Sequence, residues 1–222
     1  LAAVGAVAAA VVTLSFFAVD AQERTGTGQK LLPVDWGNSE VAAAATRGQL
    51  EGTRSLKGVT GGLDPARLGA LEIPVLAFSE TPLLVRNILG ADAKPVKPRS
   101  LVSDPKQPYW YEIEDHYQDI TISVAADRRV NLEVNRNFQI GTRSSGAEAS
   151  LGTKAAPKVS ITDGATEEGM EGVILSYTLA RFPDIPYTIT IECTGAKRQL
   201  CKDVGTIAKD QALLKVISAR PK

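Results

Sequence analysis

The chain has 222 residues, 44% of them hydrophobic, which suits one ordinary globular domain plus appendages and is long enough to bury a real core. Its 25 basic and 25 acidic residues cancel, so nothing in the balance suggests a nucleic-acid binder, which would carry a basic excess. The distribution is uneven: residues 195–222 hold seven bases against two acids, and residues 112–119 hold four carboxylates and no Lys or Arg. Solvated surface is the ordinary explanation of both.

Residues 1–19 carry no charge and approach the length of a membrane span, but they are mostly Ala and Val, weakly hydrophobic for a permanent helix. Val19-Asp20-Ala21 follows, and its modest side chains fit a signal-peptidase cut after Ala21. The chain opens on Leu without a basic n-region, so the expected true start is not Leu1. Two readings of 1–21 stand: a cleaved secretory signal, which is favoured, and an uncleaved single-span anchor. Both place the remainder outside the cytoplasm.

Residues 22–62 read as a flexible linker, with Thr25-Gly26-Thr27-Gly28 and Gly58, Gly61 and Gly62. Within it, Val41 to Ala45 fits a two-turn helix capped by Asn38 or Ser39, and Trp36 is either an anchor or part of the tether. The folded domain is expected over 63–222. Asp64-Pro65 is a cap-then-proline signal for a short helix, and Thr81-Pro82 repeats it before an apolar run that stops at Gly90. Between them, 71–78 reads as a strand lying at an edge or starting after Pro74, which has no amide donor. Pro95, Pro98, Pro105 and Pro108 make the next run an exposed loop.

Alternation then takes over. Tyr109, Tyr111 and Ile113 alternate with Trp110, Glu112 and Glu114; Ile120, Ile122 and Val124 alternate with Thr121 and Ser123; Val130, Leu132 and Val134 alternate with Asn131 and Glu133. The short Asp127-Arg128 gap between the second and third runs suggests a hairpin. A short strand over 159–161, a polar turn from Asp163-Gly164 and a longer strand over 173–179 follow. In the closing stretch, 181–218, Tyr187, Ile189, Ile191 and Cys193 alternate with Thr188, Thr190 and Glu192, which puts Cys193 on the core side. A short helix over 202–210 leads to a last apolar strand, 213–217. The fold class is therefore α+β and β-rich, an antiparallel sheet with a few short helices.

Export makes Cys193 and Cys201, eight positions apart with Gly195 easing the turn between them, an expected disulfide. Zinc does not fit two Cys and one His. Arg181-Phe182, Pro186-Tyr187, Glu192-Cys193, then Cys201 and Leu213-Leu214-Lys215-Val216, resemble the end of uncharacterised exported proteins of proteobacteria, in which a strand like Ile73-Pro74-Val75-Leu76 also stands well upstream. The resemblance spans about 62–218. It implies export and a disulfide, and it brings no activity and no catalytic residue. Those chains often end in glycines, whereas this one ends Ser218-Ala219-Arg220-Pro221-Lys222.

His116 is the single histidine, the side chain whose ordinary pKa lies near neutrality, with Asp115, Asp119, Glu112 and Glu114 nearby. Tyr109, Trp110, Tyr111, Glu112, Glu114 and His116 form the candidate ligand site, since aromatic faces beside acids suit a sugar or a cation. Alternation separates Trp110 from Tyr109 and Tyr111, so one set belongs to the core. Ser103-x-x-Lys106 sits in a proline-rich loop without its usual partner motifs and is read as chance. Asp163, Glu167, Glu168 and Glu171 could offer oxygens to calcium but lack the EF-hand spacing. There is no Gly-x-Ser-x-Gly elbow, phosphate loop or internal repeat, and no cofactor or catalytic residue is assigned. The expectation is a non-catalytic periplasmic envelope module that binds an envelope protein or component, touching the membrane only through 1–21 if uncleaved. An envelope-acting hydrolase and a membrane-anchored assembly subunit are the alternatives.

Overall fold

The computed structural model describes residues 30–50, 62–129, 159–165 and 170–220. Among them, the alternating runs are strands. On β3 (Gln107–Tyr117), Tyr111, Ile113, Asp115 and Tyr117 are buried while Glu112, Glu114 and His116 between them are half-buried. On β4 (Ile120–Asp127), Ile120, Ile122, Val124 and Ala126 point the same way as the buried row of β3. β6 (Glu171–Arg181) and β7 (Ile185–Cys193) repeat the pattern. With β2 (Ser100–Asp104) and β5 (Ser160–Ala165) at the edges, they form an antiparallel sheet in the order β2-β3-β4-β7-β6-β5.

A second, two-stranded antiparallel sheet pairs β1 (Val75–Phe78) with β8 (Leu214–Ser218). β1 starts just after Pro74, as the missing amide requires, and all four of its residues are buried. Helices α1 (Ser39–Leu50), α2 (Pro65–Ala70), α3 (Leu83–Leu89) and α4 (Val204–Asp210) complete the covering layer, with a 3-10 turn over Arg198–Lys202. The core lies between this layer and the Tyr111–Ile122–Ile189–Leu175 face of the large sheet. Two tyrosines lock the layers polar-to-polar. The Tyr111 hydroxyl accepts from the Leu76 amide at 2.7 Å and donates to the Leu76 carbonyl at 3.2 Å, and the Tyr187 hydroxyl donates to the Pro74 carbonyl at 2.8 Å.

The flexible linker expected over 22–62 is corrected over 30–50. Asn38 caps α1, its side-chain oxygen accepting from the Glu40 amide at 3.0 Å, and Val41 and Ala44 are buried in the main core. Leu31 pairs with Arg129, and Trp36 packs against the core as a partly buried anchor. The reason is amphipathicity too weak to stand out in an alanine-rich run: two buried positions one helical turn apart suffice to dock it.

Four local corrections follow. The proline-rich loop contains β2, an edge strand ending before the Pro105 turn, where proline does no harm to a ladder. Ile120 to Ala126 have β3 on one side and β7 on the other, so the hairpin joins β3 to β4 through Gln118-Asp119. Residues 130–134, expected as its partner, lie outside the described residues, as do 1–29. Asp127 belongs to β4 and Arg128 is buried, so no exposed turn forms there; Asp163-Gly164 lies within β5. Among the described residues, no helix is long and apolar enough to cross a membrane.

Candidate functional site

The helices and the β1/β8 sheet pack on one face of the large sheet. On the other, the polar half of each alternating strand meets its neighbours in rows. His116, Thr121, Glu192 and Ile174 form one row across β3, β4, β7 and β6; Glu114, Ser123, Thr190 and Ser176 form the next; Glu112, Ala125, Thr188 and Thr178 form a third. Residues directly opposite on one face interact as side-chain pairs, and Thr178 and Thr188 do so through hydroxyls 3.3 Å apart.

A depression of about 310 Å³ runs over the first two rows. Thr121 and Ser123 of β4 form its floor, with Glu112, Glu114 and His116 of β3 on one side and Thr190 and Glu192 of β7 on the other. Asp119 and Thr194 close one end. Asp119 takes φ +60°, a left-handed conformation that Asp tolerates, and its carbonyl accepts from the Thr194 amide at 2.8 Å. Gly195 stands at φ +69°, and a Cβ there would come within 2.8 Å of the Asp119 carboxylate, so this corner requires glycine. Val96, Lys97 and Met170 border the depression.

His116 sits in a chain of polar contacts. Its Nε2 is 3.3 Å from Glu114 Oε2, its Nδ1 is 3.4 Å from Thr121 Oγ1, and Ser100 Oγ donates to Glu114 at 3.0 Å. On the opposite face of β3, Asp115 is buried against Arg99, which donates through Nε at 2.7 Å and Nη2 at 2.6 Å and also reaches the Phe78 carbonyl. Of the carboxylates close to His116 in sequence, Asp115 thus belongs to a buried ion pair.

Of the six candidate ligand residues, the structure brings Glu112, Glu114 and His116 together and separates the aromatics from them. Tyr111 is fully buried, and burial pushes its hydroxyl pKa far up. Tyr109 is half-buried on the core-side parity of β3. Trp110 shares the open face but pairs with Asp127, beyond Glu112 and outside the depression. Thr121, Ser123, Thr190 and Glu192 were legible only as the polar half of two strands. What makes them a site is the pairing of β4 with β7, which joins segments about 70 residues apart.

Cys193 and Cys201 form the expected disulfide, joining the end of β7 to the 3-10 turn, and both are buried. The basic excess of the C-terminal stretch is largely engaged within the chain. Lys197 Nζ donates to the Ile88 carbonyl at 2.9 Å, Arg198 pairs with Glu171 and Lys202 with Asp163. These last two pairs occupy the calcium candidates Asp163 and Glu171; Glu167 and Glu168 lie outside the described residues. Lys202 holds the Asp163 carboxyl below its ordinary value. Among the described residues, no three His, Cys, Asp or Glu side chains are grouped to hold a metal ion. Ser103 lies in β2 and Lys106 in the β2–β3 turn, so the two are not one turn of a helix apart. No family model matches this sequence, and no curated protein or solved structure shows significant similarity to it.

Proposed function

We propose that this protein is an exported, non-catalytic binding module of the cell envelope, which engages its ligand across the open face of the large sheet. The observation that carries this reading is the depression over β3, β4 and β7, floored by hydroxyls and walled by carboxylates. Antiparallel sheets commonly leave one face to solvent; a concavity with converging polar groups on that face is what suits it to recognition. The buried Cys193–Cys201 disulfide supports an oxidising compartment, consistent with the periplasm and with export through 1–21. If 1–21 stays uncleaved, the same module is a membrane-anchored assembly subunit, and the mass of the mature N-terminus distinguishes the two.

Ser123→Trp tests the binding reading, because it fills the floor from a half-buried position without touching the core. Crosslinking in intact envelopes should yield adducts with the parent protein that are lost with Ser123→Trp while its thermal unfolding is unchanged. Identical adducts from both would sink the proposal.

The hydrolase reading has one observation of its own, the Thr121–His116–Glu114 contacts, which follow the order hydroxyl, base, carboxylate. Against it, β4 is paired on both edges at Thr121, so the strand amides that would cradle an oxyanion are engaged in the ladders. Hydrolysis of small p-nitrophenyl esters that disappears in His116→Ala would favour the hydrolase over the binding module.

A further inference from the structure

We infer that protonation of His116 reverses the hydrogen-bonding polarity of the Thr121 hydroxyl, and so makes ligand binding at this depression depend on pH. This rests on the open face being the binding surface and names how that surface is regulated. Thr121 is the group that meets the ligand, and His116 is the residue that positions its hydroxyl.

The His116 ring is engaged at both nitrogens. Its Nε2 stands 3.3 Å from Glu114 Oε2, and its Nδ1 stands 3.4 Å from Thr121 Oγ1. Ser100 Oγ donates to the same Glu114 oxygen at 3.0 Å, which steadies the carboxylate against the ring. His116 and Thr121 are direct partners in the β3–β4 ladder, so register sets their contact, and Thr121 lies on the floor of the depression.

A carboxylate only accepts hydrogen bonds, so the neutral imidazole carries its one proton on Nε2, toward Glu114. Nδ1 is then an acceptor, and the Thr121 hydroxyl donates to it. The lone pairs of that hydroxyl are left to the depression, beside the acceptors of Glu114. The imidazolium carries a proton on each nitrogen. Nδ1 then donates to Thr121 Oγ1, and the hydroxyl hydrogen turns away from the ring into the depression. The added charge also offsets that of Glu114. Both changes weaken the hold on a ligand group that donates at this floor.

Among the described residues, the other charged groups lining the depression are Glu112 on β3, Asp119 in the β3–β4 turn, Glu192 on β7 and Lys97 ahead of β2. Glu192 has an interaction of its own, and Arg99 and Asp115 pair on the opposite face of β3. Carboxylates and ammonium groups ordinarily keep their charge over about pH 5 to 8, the range in which an imidazole gains one. The floor therefore follows the ring.

Long-range proton–nitrogen correlation spectra of the isotope-labelled full chain contain one imidazole, because His116 is the single histidine. Above its titration the ring should be protonated at Nε2. Thr121→Val should shift the Nδ1 resonance toward that of an imidazole nitrogen without a donor, and Thr121→Ser should restore it. A neutral ring protonated at Nδ1, or an Nδ1 resonance that Thr121→Val leaves unchanged, overturns the inference. Photo-crosslinking in intact envelopes, stepped from about pH 8 to pH 5, gives the second readout. The adducts that Ser123→Trp removes should fall about fivefold in the parent, the worth of one hydrogen bond, with the midpoint of the imidazole titration. Adducts that stay constant, rise, or fall with another midpoint overturn this inference and leave the binding module standing. Adducts that Ser123→Trp fails to remove sink the binding module, and this inference with it.

Discussion

Arg128 is 2% exposed, and burying a guanidinium is tolerable only when its donors are used. Its Nε donates to the Leu32 carbonyl at 3.0 Å and its Nη1 to the Glu72 carbonyl, while its amide donates to the Tyr109 carbonyl at 2.9 Å. One side chain thus joins the segment before α1, the segment before β1 and the end of β4. Arg128→Met keeps the stem and the amide bond to Tyr109 but removes the donors to the Leu32 and Glu72 carbonyls; it should lower stability by about 2–3 kcal/mol, read as a lower urea midpoint with an unchanged slope. At Asp203, which caps α4, the Thr206 hydroxyl donates at 2.6 Å and the Thr206 amide at 3.2 Å. These bonds favour the ionised form and hold the carboxyl below its ordinary 3.8. A depressed folded value means the contribution is present above the unfolded value and is lost as pH falls through the folded one. Asp203→Ala should therefore cost about 1 kcal/mol at neutral pH, and the gap from the parent should close as unfolding is followed below pH 3.8. Asp210 has the opposite sign. Burial raises its carboxyl despite the amides of Leu84 and Leu83 and the charge of Arg86, so its effect on stability becomes less favourable as pH rises through the acid range.

At the scale of elements, α3 shows how far local reading reaches. Thr81-Pro82 correctly marks its start, but the Thr81 hydroxyl lies 3.4 Å from the Ala93 carbonyl and does not cap. Pro82 is the cap residue, and the first amides donate to Asp210, at 2.6 Å from Leu83 and 2.9 Å from Leu84. Lys197 serves the other end through the Ile88 carbonyl. A seven-residue helix is too short to stand alone, so both ends depend on a segment more than 100 residues away. By contrast, Asp64-Pro65 is a self-contained signal: the Asp64 carboxylate accepts from the Ala66 amide at 2.9 Å. The disulfide fixes the segment that supplies α3's caps against β7. Closing so short a loop should contribute about 2–3 kcal/mol in the chain-entropy model. Cys193→Ala/Cys201→Ala should lower the thermal midpoint accordingly, and dithiothreitol should have no further effect on that variant.

At the scale of the molecule, α1 decides where the folded unit begins. Glu40 accepts from Arg181 at 2.8 Å and from the Val216 amide at 3.3 Å, linking the helix to β6 and β8 while Val41 enters the core. Val41→Ala should cost about 2 kcal/mol in the full chain, from lost methyl groups and the cavity they leave. A position in a tether would change stability by less than about 0.5 kcal/mol, so equilibrium unfolding separates the two.

By itself the sequence determined the strands with clear alternation, the β-rich class and the core-side position of Cys193, properties of period expressed within a few residues. The bond from Cys193 to Cys201 is an expectation conditional on export, and the structure shows it. Only the tertiary structure decided that β4 lies between β3 and β7, that Tyr111 faces inward while Glu114 and His116 meet Thr121 and Ser123, and that 30–50 belongs to the packed unit. Alternation assigns each strand two faces but does not say which neighbours share them. That is set by pairings between distant segments, and the trough over β4 exists only because of them.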